Sequence, residues 1–244
     1  DGGGVAGAML ELTGVNTFRG PAHVLRSVSL RVGDGEVVCL VGRNGAGKTT
    51  TLDSAMGLLP VRSGTIAFRD RDITRLPPHR RALLGIGYSP EDAGIFPDLT
   101  VAENLEICRW LARRGGRSAD QGAVDERLRA LFPEIEALAG RRGLNLSGGQ
   151  KKMVAIARAM ALSPAVLLLD EPFEGLAPVV VTRLIETAKR IKAMGISLLI
   201  AESNVTNAAR VADRLYAIDR GEILFEGAPR SALANADVMK TLRG

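Results

Sequence analysis

The fold of this chain is decided by one short stretch, which reads Gly42-Arg43-Asn44-Gly45-Ala46-Gly47-Lys48-Thr49. It matches the pattern G-x-x-x-x-G-K-[ST], in which glycines let backbone N–H groups close around phosphates and the lysine reaches the outer phosphates. The run 36–41 before it is typical of a buried strand, and the residues after Gly47 predict a helix whose N-terminus faces an anion. The stretch therefore predicts a phosphate-binding loop between a strand and a helix.

Two segments further along the chain accompany this loop. The later of the two, at 165–169, is an apolar run that leads into Asp170 and Glu171. The earlier one, which lies between the phosphate-binding loop and this run, reads Leu146-Ser147-Gly148-Gly149-Gln150 and opens a helical pattern. Taken alone, it could be a helix start capped by Ser147. In this order the three segments resemble the ATP-binding cassette (ABC) ATPases over nearly the whole chain, and residues 146–150 correspond to the family's signature loop.

The resemblance implies an α/β fold of a particular kind. Its core is a phosphate-loop (RecA-like) parallel sheet, with N-terminal antiparallel strands and an inserted helical subdomain. We expect a flexible tail at 1–8 and a single ATPase domain at 9–244. The core of that domain would comprise 9–91 and 162–244, and the helical subdomain 92–161.

The apolar pattern along the chain agrees with this organisation. Asp219-Arg220-Gly221 predicts a hairpin turn, and one further helix is expected after it. On the predicted helix 101–114, Trp110 falls opposite the apolar face, so we expect Trp110 to be exposed. The predicted strands are 9–15, 27–32, 36–41, 165–169, 196–201 and 214–218, and the predicted helices include 101–114, 123–132 and 147–161.

Composition limits the classes of protein that fit. A chain of 244 residues with 46% hydrophobic and 4% aromatic residues is long enough for one large α/β domain. Its longest apolar runs are far shorter than a membrane span, so we expect any membrane involvement to come through a partner. Cys39 and Cys108 lack a metal-binding or disulfide pattern and are expected to be free thiols. The net charge of +5 comes with arginine clusters that lack interleaved aromatic residues, so no nucleic-acid partner is expected.

The resemblance also implies the cofactors, ATP and Mg²⁺, and a role for each site residue. Lys48 and the N–H groups of 44–50 would bind the phosphates, Thr49 and Asp170 would hold Mg²⁺, and Glu171 would act as the general base. The residues expected to bind ATP in their own subunit are Gly42, Arg43, Asn44, Gly45, Ala46, Gly47, Lys48, Thr49 and Thr50, with Phe18 or Arg19 stacking on adenine.

Three positions depart from the family pattern. Glu91 stands where the family carries a glutamine that senses Mg²⁺ and water, so we expect Glu91 near the metal with Thr49 and Asp170. Ser203 stands at the γ-phosphate switch, where histidine is usual, and we expect its side chain to be too short to bridge what histidine bridges. Near the start of the chain, Phe18 and Arg19 both remain candidates for the adenine contact.

The signature loop implies a dimer, because one copy carries both halves of a site that are too far apart to close on themselves. Four residues would bind the γ-phosphate held by a second ATPase subunit, identical or different, and these are Ser147, Gly148, Gly149 and Gln150. The segments 95–105 and 175–178 are most similar to importers of the branched-chain amino-acid type, a branch that also serves amides, urea and aromatic acids. That similarity implies two membrane permease subunits, a periplasmic binding protein as an indirect partner, and a place at the cytoplasmic face of the inner membrane.

Two other functions fit parts of the sequence. A regulatory subunit that binds ATP with slow or no hydrolysis would be consistent with Glu91 and Ser203, although Lys48, Asp170 and Glu171 are all present. A soluble cassette ATPase outside transport would usually show tandem cassettes or a long coiled-coil insertion, and this sequence has neither. With Ser203 at the switch, we expect the site on this chain's own phosphate loop to turn over slowly.

Overall fold

We describe a computed structural model of the chain, covering residues 7–114 and 120–243. Residues 1–6 of the predicted tail lie outside the described residues, and Ala8, its last residue, already belongs to the first strand. In the described part of the chain, no helix has the length and apolar character that a membrane span requires.

Two sheets form the body of the molecule. The first is antiparallel, in the order β2-β1-β4-β5, and the second has six strands in the order β10-β9-β3-β8-β7-β6. The strands of the first sheet are β1 (Ala8–Arg19), β2 (Ala22–Gly33), β4 (Val61–Phe68) and β5 (Arg71–Asp72). Those of the second are β3 (Val37–Val41), β6 (Ile86–Ser89), β7 (Val166–Asp170), β8 (Ser197–Glu202), β9 (Arg214–Asp219) and β10 (Glu222–Gly227).

The second sheet positions the phosphate-binding loop. Strands β3, β6, β7, β8 and β9 run parallel, so their carboxyl ends meet at one edge. All five residues of β3 are buried, because the sheet is covered on both faces. Val37, Cys39 and Val41 pack into the core on the helical face, whereas Val38 and Leu40 pack into the core shared with the antiparallel sheet.

The helices divide between the two sides of this sheet. Among its described residues, the segment between β6 and β7 carries helices and no β-strand, and most of its buried apolar residues pack against the helical face of the core. In chain order the helices are α1 (Lys48–Met56), α2 (Pro78–Leu84), α3 (Val101–Arg114), α4 (Gln121–Leu131), α5 (Ile135–Leu138), α6 (Gly148–Ala161), α7 (Pro178–Ala193), α8 (Val205–Ala209), α9 (Pro229–Ala234) and α10 (Ala236–Arg243).

The predicted fold class is confirmed, with differences in detail. The final hairpin turns at Arg220 and Gly221, both with positive φ, as predicted. The expectation of one C-terminal helix is wrong, because the extended backbone of Asn235 separates α9 from α10. On α3 the residues opposite Trp110 are buried, and Trp110 itself is 48% exposed, as predicted. The division into core and helical subdomain remains a prediction.

Candidate active site

The phosphate-binding loop joins β3 to α1 and leaves little room at its glycines. Gly45 and Gly47 have positive φ, 82° and 115°, which side chains rarely allow. A Cβ on Gly42 would lie 2.5 Å from the Ile218 carbonyl oxygen, so the loop passes close to β9. The loop ends at Lys48, the first residue of α1, whose helix N-terminus points into the loop.

Lys48 is buried, and its ammonium group is held by its own chain. The Lys48 Nζ donates to the carbonyl oxygens of Gly42 (2.7 Å) and Arg43 (3.1 Å) and to the Ser203 Oγ (3.0 Å). It also lies 3.0 Å from the Glu171 Oε1, in an ion pair whose two side chains are each 5% exposed. A phosphate bound in the loop would therefore compete with Glu171 for this lysine.

Glu171 and Ser203 meet because β7 and β8 are neighbours in the sheet. The backbone N–H of Ser203 donates to the Glu171 Oε2 (3.0 Å), and the Ser203 hydroxyl lies 2.6 Å from the Glu171 Oε1 and 2.9 Å from the Asn44 Oδ1. The Ser203 hydroxyl therefore contacts the base candidate and also accepts a hydrogen bond from Lys48. Its reach toward a γ-phosphate remains a prediction.

Asp170 has the environment expected of a metal ligand. It ends β7, is 1% exposed, and neither carboxylate oxygen has a hydrogen-bond partner among the described residues. Burial raises the pKa of Asp170 to about 6, and the nearby Thr49 hydroxyl opposes that rise. Buried carboxylate oxygens without partners suit a hard cation such as Mg²⁺.

No group of three or more His, Cys, Asp or Glu side chains within the described ranges could hold a metal ion. Asp170 and Thr49 would therefore hold Mg²⁺ together with phosphate oxygens and water. Glu91 is exposed and lines the same cavity as Thr49 and Asp170, so the structure brings the three predicted metal ligands to one opening.

The two adenine candidates point to different surroundings. Arg19 donates to the Thr50 Oγ1 (3.0 Å) and to the Asp53 Oδ2 (2.6 Å), and it lines a cavity with the phosphate-binding loop. Phe18 instead stacks on His23 with ring centroids 4.3 Å apart, and the Arg62 guanidinium lies 5.0 Å from its ring. Of the two, Arg19 is the one beside the loop, and the adenine contact remains a prediction.

The signature loop lies apart from these groups. Ser147 caps α6 in a capping box, because its Oγ accepts from the Gln150 N–H and the Gln150 Oε1 accepts from the Ser147 N–H. Ser147 and Gly148 are exposed, and the cavity beside the loop is lined by the start of α6, by α7 and by the segment after α4, without any phosphate-loop residue. Within one chain, the two halves of the predicted ATP site do not meet.

Two residues of this region were missed by the sequence analysis. The sequence does not single out Lys152, yet its ammonium donates to the backbone carbonyls of Glu91 and Glu171 (2.8 Å for the latter). Glu202, the last residue of β8, is 2% exposed, and burial raises its pKa to about 7. The apolar run of β8 could have indicated that Glu202 is buried, whereas nothing in the Lys151-Lys152 pair distinguishes the two lysines.

Comparison with known proteins agrees with the fold. The ABC transporter family model matches residues 25–174. The lipopolysaccharide export system ATP-binding protein LptB of Escherichia coli (strain K12) is 40% identical over 224 residues, 91% of each chain. The high-affinity branched-chain amino acid transport ATP-binding protein BraG of Pseudomonas aeruginosa is 33% identical over 236 residues, 97% of this chain and 100% of BraG.

A solved structure shows the same architecture. The ADP conformation of an ATP-binding cassette of an ABC transporter superposes with a TM-score of 0.81 and 27% identity, covering 97% of this chain and 99% of that chain. ATPases of this family hydrolyse ATP coupled to transport and work as dimers with membrane permease subunits. The chain belongs to the ABC transporter ATPase family and is an ATP-binding subunit of such a transporter.

Proposed function

We propose that this subunit powers an importer of branched-chain amino acids or related small solutes such as amides, urea and aromatic acids. The similarity to BraG supports this cargo because it extends over 97% of the chain and the whole of BraG. The segments 95–105 and 175–178 support it as well. An importer of this kind would place the subunit at the cytoplasmic face of the inner membrane, beneath two permeases that receive solute from a periplasmic binding protein.

The observation that carries the proposed chemistry is the contact of buried Lys48 and Glu171 with half-buried Ser203, beside the buried carboxylate of Asp170. Lys48 would turn from Glu171 to the outer phosphates when ATP binds, which releases Glu171 to accept a proton from the attacking water. Bound Mg²⁺ would neutralise phosphate charge, with Asp170 and Thr49 holding it. Residues 147–150 would complete the site of the second subunit.

A direct measurement tests this chemistry. The purified protein should hydrolyse ATP only with Mg²⁺, and Glu171→Gln should remove hydrolysis while leaving ATP binding intact. A wild-type protein that binds ATP and releases no phosphate would support the regulatory subunit instead.

Export of lipopolysaccharide is a second candidate for the cargo. The 40% identity to LptB favours it, and that similarity offers no support for a periplasmic binding protein. Deletion of the gene in the source organism should abolish uptake of labelled leucine, and wild type but not Glu171→Gln should restore it. Normal leucine uptake together with loss of lipopolysaccharide from the cell surface would instead support the exporter.

A further inference from the structure

Lys152 lies on the second turn of α6, the helix that the signature loop opens, yet its ammonium group ends in the ATP site. It donates to the carbonyl oxygen of Glu171 at 2.8 Å and also to the carbonyl oxygen of Glu91. Lys152 is half-buried, and burial lowers its pKa while the neighbouring carboxylates oppose that change. One side chain therefore spans from the signature helix to the loops after β6 and β7.

The Glu171 backbone needs such support. Its φ is 45°, in the left-handed region that residues other than glycine rarely adopt. A conformation of this kind persists only when the surrounding structure fixes it. Here the Glu171 N–H donates to the Ala201 carbonyl (2.9 Å), and its carbonyl oxygen accepts from Lys152. These two bonds hold the peptide planes on both sides of the residue, and so aim its carboxylate at Lys48 and Ser203.

The Glu91 loop is fastened to the same helix at two points. Arg158, also on α6, donates to the carbonyl oxygen of Gly94, and Lys152 donates to that of Glu91. Of these two α6 cations, only Lys152 also bonds to Glu171. A displacement of α6 would therefore pull on the Glu91 loop through both side chains, and on the base candidate through Lys152.

We propose that Lys152 is a positioning residue that transmits the position of the signature helix to Glu171. The inference rests on the proposed role of Glu171 as general base. When α6 sits as described here, Lys152 holds Glu171 in its left-handed conformation. When α6 moves, the bond from Lys152 to the Glu171 carbonyl lengthens and the carboxylate loses its aim.

The test compares three variants of the purified full-length protein in steady-state ATP hydrolysis. Lys152→Met keeps the length of the side chain and removes charge and donors, whereas Lys152→Arg keeps both. Lys151→Met is the matched control, since it removes a lysine from the same turn whose ammonium has no hydrogen-bond partner among residues 7–114 and 120–243. Binding of a fluorescent ATP analogue and thermal unfolding show whether each variant is folded.

For Lys152→Met we expect kcat to fall about 10²-fold, the effect of misplacing a catalytic group by an ångström, with KM for ATP changed less than about twofold. Lys152→Arg should recover most of the loss, and Lys151→Met should behave as wild type. Full activity of Lys152→Met, a loss confined to KM, or an equal loss in Lys151→Met would overturn the inference. Should Lys152→Met fail to fold, Lys152→Gln, which keeps a donor but no charge and is shorter, is expected to show the same loss of kcat.

Glu171→Gln separates this inference from the proposed function. If Glu171→Gln is inactive while Lys152→Met is fully active, the role of Lys152 is wrong and that of Glu171 stands. If Glu171→Gln retains activity, the assignment of Glu171 itself is wrong.

Discussion

The phosphate-binding loop and the signature loop are both glycine-rich starts of helices, but they differ in how far their own chain completes them. At the phosphate-binding loop, Lys48 is buried and bonded to two carbonyls, Ser203 and Glu171. At the signature loop, Ser147 and Gly148 are exposed, and the hydrogen bonds of Ser147 serve only to cap α6. One loop is closed by its own chain, and the other faces solvent.

This difference indicates which of the two loops needs another subunit to complete its phosphate contacts. A helix N-terminus leaves backbone N–H groups free and carries a partial positive charge, so an exposed one attracts an anion. The signature loop offers such an end without any phosphate-binding residue of its own chain nearby. It is therefore suited to a phosphate brought by a partner, whereas the phosphate-binding loop must first release Lys48 from Glu171.

The largest effect on hydrolysis should come from a change at the phosphate-binding loop, whose lysine is paired with Glu171. Glu171→Gln removes the charge that would accept the proton of water, and we expect hydrolysis to fall about 10²–10⁴-fold. ATP should bind at least as tightly, because Lys48 loses a competing carboxylate. Phosphate release and binding of a fluorescent ATP analogue would check this, and weaker ATP binding in the variant would show that Glu171 does not compete for Lys48.

The signature loop can be altered by substitution without disturbing the fold. A Cβ at Gly148 would meet only Leu176, at 3.8 Å, and an acidic residue in the first turn favours a helix. We expect Gly148→Asp to abolish hydrolysis by repelling the partner's phosphate, while the uncharged Gly148→Asn loses less. Both variants should bind ATP as wild type does, and a loss of that binding would contradict the separation of the two loops.

Mixing the two inactive variants tests the comparison itself. In a dimer of Glu171→Gln with Gly148→Asp, one composite site carries both defects and the other carries none. If a homodimer forms and its sites act independently, an equal mixture should recover about a quarter of wild-type hydrolysis, from the mixed half of the dimers. If the mixture stays inactive although the subunits exchange, the two loops do not work across the dimer.

The sequence predicted the elements that carry the loops, because the local signals there are strong. The apolar runs placed β3, β7 and β8, and helical spacing placed α3 at its observed bounds. The groups around Glu171 could not be predicted in this way. Lys152 reaches Glu171 from 19 residues away and Ser203 from 32, so only the packing of strands and helices brings them together.

A smaller effect, in the opposite direction, is expected at the switch position. The Ser203 hydroxyl joins Glu171 and Lys48, but it cannot supply the charge of an imidazolium to the transition state. A preorganised donor of that kind is worth about 10²–10³-fold in rate, so Ser203→His should raise hydrolysis by the isolated protein toward that range. Ser203→Asn is the control for size without charge. Unchanged turnover in Ser203→His would show that the site works at full rate with another group.

A smaller effect is expected on stability, at the buried carboxyl behind the loop. Burial raises the pKa of Glu202 from 4.5 to about 7, and its Oε2 has no hydrogen-bond partner among the described residues. The folded state therefore holds a proton that the unfolded chain releases, so Glu202 lowers stability as pH rises from about 4.5 to 7. In denaturant unfolding, the free energy of unfolding of Glu202→Gln should rise relative to that of wild type across that range, by up to about 3 kcal/mol. A difference that does not vary with pH would contradict the raised pKa.

The smallest effect should come from Glu91, which lines the cavity beside the phosphate-binding loop. Its carboxylate shares a cavity with Thr49 and Asp170, where it would repel the γ-phosphate until bound Mg²⁺ offsets its charge. Glu91→Gln removes the repulsion and keeps an oxygen ligand. We expect hydrolysis by this variant to depend less on high Mg²⁺, with a change of only a few-fold in turnover and with ATP binding retained. Asp92→Asn, the neighbouring acid lining the same cavity, is the matched control. A Mg²⁺ titration that is the same for Glu91→Gln and wild type would show that Glu91 lies outside the metal's surroundings. The carboxylates that act on the metal and phosphates would then be those of Asp170 and Glu171.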